Sequence, residues 1–301
     1  MTDLHHRYEQ ARALKLSLLA NGLFLGVEVA GGLIFGSLAL LADAAHMLSD
    51  VGGLAIALVA HRLLSRPSSA RHTYGLQRAE VLGAQINGIL LLAAAGWIFY
   101  EAVHRVGDPV EVAGGGLVAV AVIGLLINIG SAVILGRSKG GSLNMRAAFL
   151  HMVMDAIGSV GVLAAGIAII VWDATWVDPV VSIGIGFLVL WSAWDLLRAT
   201  AHVLMEGSPR DLDPVVVEDA IRADPAVEGV HHVHLWSLAS DTPALSAHVQ
   251  VAGDRSLHDA QIDGQRIEEM LRERFGIDHA TLQLECDPCE EIQPSHQGPQ
   301  T

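Results

Sequence analysis

Two histidine–aspartate pairs in this sequence share one spacing and lie inside apolar segments. His46 is followed by Asp50 four residues later, and His151 is followed by Asp155 at the same interval. Side chains four residues apart on an α-helix lie on one face, about 5–6 Å apart at Cβ, so each pair can bind one ion. A hydrogen-bonded pair on a helix explains a single occurrence equally well. The repetition favours a four-ligand metal site.

The donor types indicate which cation such a site would hold. Two imidazole nitrogens and two carboxylates suit tetrahedral coordination of a borderline cation, and Zn²⁺ fits this description best. Mg²⁺ and Ca²⁺ prefer shells made only of oxygen, and Cu⁺ prefers thiolates or thioethers. The sequence leaves Cd²⁺, Co²⁺ and Fe²⁺ open as further ions.

The segments that carry the pairs are long enough to cross a membrane. The chain of 301 residues is 52% hydrophobic, with a mean hydropathy of +0.45, which is too apolar for an ordinary soluble protein. A helix of about 20 apolar residues crosses the hydrocarbon core, where an unpaired ionisable side chain costs about 2.5–3.5 kcal/mol. The sequence predicts six transmembrane helices, at residues 14–35, 37–64, 79–103, 112–136, 142–172 and 177–199.

The charge distribution predicts an orientation and excludes one class of partner. Lys and Arg cluster in the leader, in the loop after the second span and in the loop after the fourth. By the positive-inside rule these segments are cytoplasmic, so both termini are expected on the cytoplasmic side. The membrane is expected to be a bacterial inner membrane. The 18 Lys and Arg against 32 Asp and Glu give a net charge of −14, so no nucleic-acid partner is expected. No cleavable signal peptide is predicted, because the charged leader runs directly into a full-length span.

The composition changes to that of a soluble domain after Gly207. We predict a leader at residues 1–13, a membrane domain at 14–207, a small cytoplasmic α+β domain at 208–288 and a disordered tail at 289–301. Periodicity in the small domain gives the order α-β-β-α-β, which favours an antiparallel-rich sheet with helices on one face. The two cysteines, Cys286 and Cys289, could form a redox pair, but nearby His and carboxylate side chains favour metal binding.

Longer stretches of the sequence resemble a known family. Residues 42–50 read Ala-Asp-Ala-Ala-His-Met-Leu-Ser-Asp, residues 72–80 read His-Thr-Tyr-Gly-Leu-Gln-Arg-Ala-Glu, and residues 231–236 read His-His-Val-His-Leu-Trp. With the six spans and the repeated His-x-x-x-Asp, these stretches make nearly the whole chain similar to the cation diffusion facilitator family, in its zinc-transporting branch. The resemblance implies a homodimer in the lipid bilayer, a ferredoxin-like cytoplasmic domain, and export of Zn²⁺ from the cytoplasm in exchange for protons.

The resemblance also implies roles for residues outside the spans. Arg78 and Glu206 match a charge interlock at the family's dimer interface. His72 matches a ligand of a second, weaker site, whose companion position is Leu76 in this chain.

In the cytoplasmic domain, the positions that match metal ligands or lie beside them are His231, His248, Glu285, Cys286, Asp287 and Cys289. His232 and His234, in contrast, are interpreted as ordinary strand histidines.

A transport site must bind its ion on one side and release it on the other. Neutral imidazole binds metal and imidazolium does not, so His46 and His151 are expected to release Zn²⁺ when protons enter from outside. Glu28 in the first span is a candidate for lining a wet path, or for hydrogen bonding between helices. Two other functions remain: an intramembrane metalloenzyme, which would need an open coordination position, and a membrane-bound metal sensor.

Overall fold

The computed structural model describes residues 2–64, 69–108, 110–137, 143–239, 242–253 and 255–286. The chain divides into two compact units. The first contains residues 1–62 and 83–198, and the second contains residues 63–82 and 199–301.

Six long helices make up the N-terminal two thirds of the chain, as the sequence predicts. They are α1 Thr2–Phe35, α2 Leu38–Leu64, α3 Arg78–Gly107, α4 Gly114–Arg137, α5 Leu143–Trp172 and α6 Val177–Leu204. In the described part, four of them contain stretches long and apolar enough to cross a membrane, and α1 and α2 contain shorter apolar stretches. The chain is therefore an integral membrane protein. α1 begins at Thr2 because residues 2–21 contain neither Gly nor Pro.

Small residues allow these helices to approach one another closely. α4 packs against α5 and α1. A Cβ on Gly124 of α4 would lie 2.6 Å from Cζ of Phe24, and a Cβ on Gly166 of α5 would lie 2.7 Å from a methyl carbon of Val118. Neither position has room for a side chain, so both glycines are required for the close packing that membrane helices use.

A buried carboxylate joins three helices at one end of the first unit. Asp178 of α6, fully buried, accepts hydrogen bonds from Ser37 Oγ at 2.6 Å and from the backbone N–H of Leu38 at 2.8 Å, at the start of α2. Arg105 of α3 lies 3.7 Å from the same carboxylate and donates to the carbonyl of Gly36. The carboxylate thus accepts from two free N–H groups at the start of α2 and lies beside the partly buried Arg105.

The second unit contains the small α+β domain, in the predicted order. Its elements are α7 Pro214–Arg222, β1 Val227–Ala239, β2 Thr242–Val251, α8 Leu257–Phe275 and β3 His279–Glu285. β1 and β2 are antiparallel, but β2 and β3 are parallel. The expectation of an antiparallel-rich sheet is therefore wrong: the sheet is mixed, because α8 is a crossover that returns the chain in the direction of β2.

Both helices of this domain cover one core. Val217 and Ile221 of α7 and Ile267 and Leu271 of α8 are buried with Leu245 of β2 in a single apolar cluster. The ends of α8 are capped by Ser256 Oγ, which accepts from the N–H of Asp259, and by Gly276 with φ +68. Helices on one face of the sheet agree with the sequence-based expectation.

Arg266 of α8 fixes the helix to the loop before β1. Its guanidinium donates two hydrogen bonds to Asp224, with Nε–Oδ2 at 2.8 Å and Nη2–Oδ1 at 2.6 Å. These hydrogen bonds hold the pKa of Asp224 below its usual range, and the partnership raises the pKa of Arg266.

Candidate metal centres

The intramembrane histidines meet at one carboxylate. Asp155 of α5 is buried. Its Oδ1 lies 3.4 Å from His46 Nε2 of α2, and its Oδ2 lies 3.7 Å from His151 Nε2, one turn earlier on α5. The two imidazole ring centroids are 6.1 Å apart. Asp50 follows His46 by one turn of α2, but its side chain lies outside the described part of the structure. Three of the four predicted membrane ligands thus lie together.

The spacing of these atoms matches that of ligands around one ion. Hydrogen bonds between nitrogen and oxygen are about 2.7–3.2 Å long. Two atoms that each lie about 2.0–2.2 Å from a tetrahedral Zn²⁺ are about 3.3–3.6 Å from each other. Both separations exceed the hydrogen-bond range; 3.4 Å lies within the ligand–ligand range and 3.7 Å just beyond it.

The three side chains lie at the wall of a cavity of about 620 Å³. Most of the remaining lining is apolar, with Ile157, Ile185 and Leu188 among its residues. Asp43 of α2 and the exposed Asp195 of α6 add two further carboxylates to the wall. A small hydrated cation that entered this cavity would find its strongest polar partners at the histidine–aspartate cluster.

In the cytoplasmic domain, the sheet register brings a second set of ligands together. His231 of β1 is paired directly with His248 of β2. Glu285 ends β3, two residues beyond the partner of His248, and so lies on the same face. Its carboxylate oxygens lie 3.2 Å from His231 Nε2 and 2.7 Å from His248 Nδ1.

His232 joins this cluster, contrary to its interpretation as an ordinary strand histidine. Neighbouring residues of a regular strand point to opposite faces. Here the pairing of β1 with β2 shifts between His231 and His234, and His232 has φ +49. One ligand atom from each of His231, His232 and His248 lies within 4.8 Å of the others. In the sequence, only the adjacency of His231 and His232 hints that both could bind one metal. The bulge that turns His232 toward the cluster cannot be derived from composition.

The remaining candidates of this domain lie at or beyond its last strand. Cys286 follows β3 directly and is exposed. Asp287, Cys289 and the tail at 289–301 lie outside the described residues.

The other predicted positions lie in the loop before α3, at the start of α3 and just after α6. Arg78 Nη2 lies 3.2 Å from Glu206 Oε1, with both side chains exposed. His72 and Leu76 line a cavity of about 960 Å³ with these two residues and with His234. The ring of Tyr74 contacts that of His279 edge-on, at a centroid distance of 5.6 Å. Arg78 and Glu206 form an ion pair within one chain.

Comparisons with known proteins identify the family. The model of the cation efflux transmembrane domain matches residues 14–205, and that of the cation efflux protein cytoplasmic domain matches residues 209–287. The zinc transporter ZitB of Escherichia coli K12 is 42% identical over 281 residues, which are 93% of this chain and 88% of that protein.

Two further proteins are similar to this chain. A cadmium, cobalt and zinc/H⁺-K⁺ antiporter of Bacillus subtilis 168 is 35% identical over 94% of this chain and 91% of its own length. The solved metal-bound C-terminal domain of the CzcD transporter from Cupriavidus metallidurans is 31% identical, covering 25% of this chain and 99% of that one at a TM-score of 0.22. On the two family matches and the identity to ZitB and to the Bacillus subtilis antiporter, the chain belongs to the cation diffusion facilitator family of cation efflux transporters.

Proposed function

We propose that this protein exports Zn²⁺ from the cytoplasm in exchange for protons, at a site formed by His46, Asp50, His151 and Asp155. The observation that carries the proposal is the convergence of two imidazoles on the buried Asp155 carboxylate at the wall of a cavity. Its relatives are transporters, among them a zinc transporter and a metal/proton antiporter. The chain is accordingly a transporter and not an enzyme.

The donor set favours Zn²⁺ over harder ions. Two nitrogen and two carboxylate donors close a tetrahedral shell, which leaves no position for a metal-activated water. The same donors can bind Cd²⁺, Co²⁺ or Fe²⁺, and the relative named as a cadmium, cobalt and zinc antiporter supports a broader substrate range. Zn²⁺ is the transported substrate at this site.

Protons drive release because they compete with the metal for the same atoms. An imidazole with an ordinary pKa of about 6.5 is largely neutral in the cytoplasm and becomes protonated in a more acidic compartment. Protonation of His46 and His151 removes two lone pairs from the site, so the ion leaves on the acidic side. Helix rearrangement around the site would then expose it to alternate sides.

The family match supports a proposal for the assembly, and the positive-inside rule supports one for the orientation. We infer a homodimer, which the match of residues 209–287 to a dimerising cytoplasmic domain supports. Arg78 and Glu206 are proposed as the interlock that stabilises it. Both termini and the domain at 208–288 are proposed to lie in the cytoplasm of a bacterium, with the membrane domain at 14–207 in the inner membrane.

The cytoplasmic cluster is proposed to regulate transport. His231, His232, His248 and Glu285 offer three nitrogens and a carboxylate within a folded domain. Zn²⁺ bound there would favour one of two arrangements of the paired domains. The resulting increase in transport would be limited by the difference in Zn²⁺ affinity between these arrangements. The loop position His72 is proposed as a weaker site.

Zinc flux into proteoliposomes tests the proposal. Purified protein is reconstituted into vesicles that contain a zinc-sensitive dye and have an acidic lumen, and the dye signal is followed after Zn²⁺ is added outside. Uptake that disappears when an ionophore collapses the pH gradient is expected. Binding of Zn²⁺ without any uptake would contradict the transporter and would favour a metal sensor.

A further inference from the structure

The first unit buries a second pair of carboxyl groups beside the proposed transport site. Glu28 on α1 is 2% exposed and Asp43 on α2 is 7% exposed. The two side chains lie within hydrogen-bonding reach of each other. Neither residue belongs to the proposed ligand set, and export as described above gives them no role.

Two facing carboxylates in an apolar interior require a proton or a cation between them. Glu28 Oε2 is buried, and no N–H or O–H group in the described part of the chain donates to it. α4 packs along α1, but residues 114–136 include no titratable side chain. The titratable groups that face Glu28 are Asp43 and, farther away, Asp155 of α5, and Asp43 also faces His46 of α2. A proton shared by the two carboxyls removes their repulsion.

Asp43 connects this pair to the cavity. It lines the same wall as His46, His151 and Asp155. Its Oδ1 lies 3.9 Å from the position that a Cβ on Gly158 would occupy, so the absence of a side chain there leaves the carboxylate facing α5. A doubly charged ion in the cavity is weakly screened in these surroundings, and its field reaches the carboxyl pair.

We propose that Glu28, through the proton it shares with Asp43, carries one of the protons exchanged for each Zn²⁺. This inference rests on the proposed export function. Zn²⁺ that binds from the cytoplasm expels the shared proton to the cytoplasm. After Zn²⁺ leaves on the outer side, a proton from that side returns to the pair. This proton is additional to those that the ligand imidazoles exchange.

The test is a count of protons released per Zn²⁺ bound. Full-length protein in weakly buffered detergent solution is titrated with Zn²⁺ while a pH dye records the protons released. Glu28→Gln is expected to release about one proton fewer than the wild type. The slope of log Kd for Zn²⁺ against pH is expected to be smaller by about one, so that Kd changes about tenfold less for each pH unit. The cytoplasmic cluster is the same in both proteins, so its protons cancel in the difference.

Matched variants separate loss of a proton carrier from loss of structure. Glu28→Asp keeps a carboxyl group and is expected to restore the wild-type count. Asp43→Asn removes the other half of the pair and is expected to lose the same proton as Glu28→Gln. Asp108→Asn removes an exposed carboxylate after α3, outside this cavity, and is expected to keep the wild-type count.

The possible results discriminate this inference from the export proposal. The membrane site is the one whose Zn²⁺ the wild type binds and Asp155→Ala does not. If Glu28→Gln binds that Zn²⁺ and releases as many protons as the wild type, the inference is overturned and the export site stands. If the wild-type Kd follows the K⁺ concentration and not the pH, the carboxyls hold a monovalent cation, and the inference is again overturned. If Asp155→Ala loses no Zn²⁺, the export site itself fails.

Discussion

The two candidate metal centres are held together in different ways. In the membrane, the histidines come from two helices. Helix packing places His46 of α2 beside Asp155, and four-residue spacing on α5 places His151 beside the same carboxylate. In the cytoplasmic domain, His231, His248 and Glu285 come from three strands, and only the sheet register brings them together. The membrane centre therefore depends on how α2 and α5 lie against each other. The cytoplasmic centre depends on a folded sheet.

The separations within the two centres differ as well. The Glu285 carboxylate lies 2.7 Å from His248 Nδ1 and 3.2 Å from His231 Nε2. In the membrane centre, Asp155 lies 3.4 Å and 3.7 Å from its histidines. The donors of the cytoplasmic centre therefore lie closer together than those of the membrane centre.

The largest expected effect comes from removing a carboxylate of the membrane centre. Asp155→Ala and Asp50→Ala each remove one of two anionic ligands, and loss of a direct ligand should exceed the 10–100-fold cost typical of groups that only orient ligands. Zinc flux in proteoliposomes is expected to fall by more than about 100-fold, while the cytoplasmic domain still binds Zn²⁺. Asp108→Asn, an exposed acid after α3, is the control. Normal flux in either alanine variant would rule out the site.

A smaller effect is expected from the matching change in the cytoplasmic centre. Glu285→Gln keeps the shape of the side chain but removes the charge that faces both histidines. Zn²⁺ affinity of the cytoplasmic cluster should fall about 10–100-fold, and flux at low Zn²⁺ should weaken without being abolished. Calorimetry on the full-length protein, with Glu228→Gln on β1 as the control, measures the loss. An unchanged second binding event would exclude Glu285 as a ligand.

The contrast between the centres also explains which features could be predicted from the sequence. The pairs at His46 and His151 are visible because helical periodicity is local, and the six helices follow from apolar length. His232 could not be predicted, because its position depends on a bulge and a positive φ in β1. The parallel pairing of β3 was also missed, since strand periodicity does not encode direction. Contacts between distant segments, such as Glu28 with Asp43, require the packed structure.

A change of donor type tests selectivity in the membrane centre. His46→Asp replaces a nitrogen with a third carboxylate, which makes the site harder and weakens its tetrahedral preference. Transport of Cd²⁺ or Mn²⁺ relative to Zn²⁺ is expected to rise several-fold. The measurement is competition flux with pairs of ions in the same vesicles. Relative rates equal to those of the wild type would show that the imidazole does not determine selectivity.

The smallest expected effect concerns the stability of the sheet that holds the cytoplasmic centre. Arg266 holds the pKa of Asp224 below its usual value by hydrogen bonding, so the carboxylate stabilises the fold above its unfolded pKa of about 3.9. That stability is lost as the pH falls through the folded pKa. Because Arg266 is half exposed, Arg266→Gln should destabilise the domain by only about 0.2–1 kcal/mol near neutral pH, and the difference should close below about pH 4. Hydrogen exchange of β1–β3 amides in the full-length, metal-free protein measures this loss of stability.

The control is Arg272→Gln, which removes an exposed arginine paired with Glu269 on the same helix. A difference between Arg266→Gln and wild type that persisted in acid would mean that the arginine acts by packing and not by its charge.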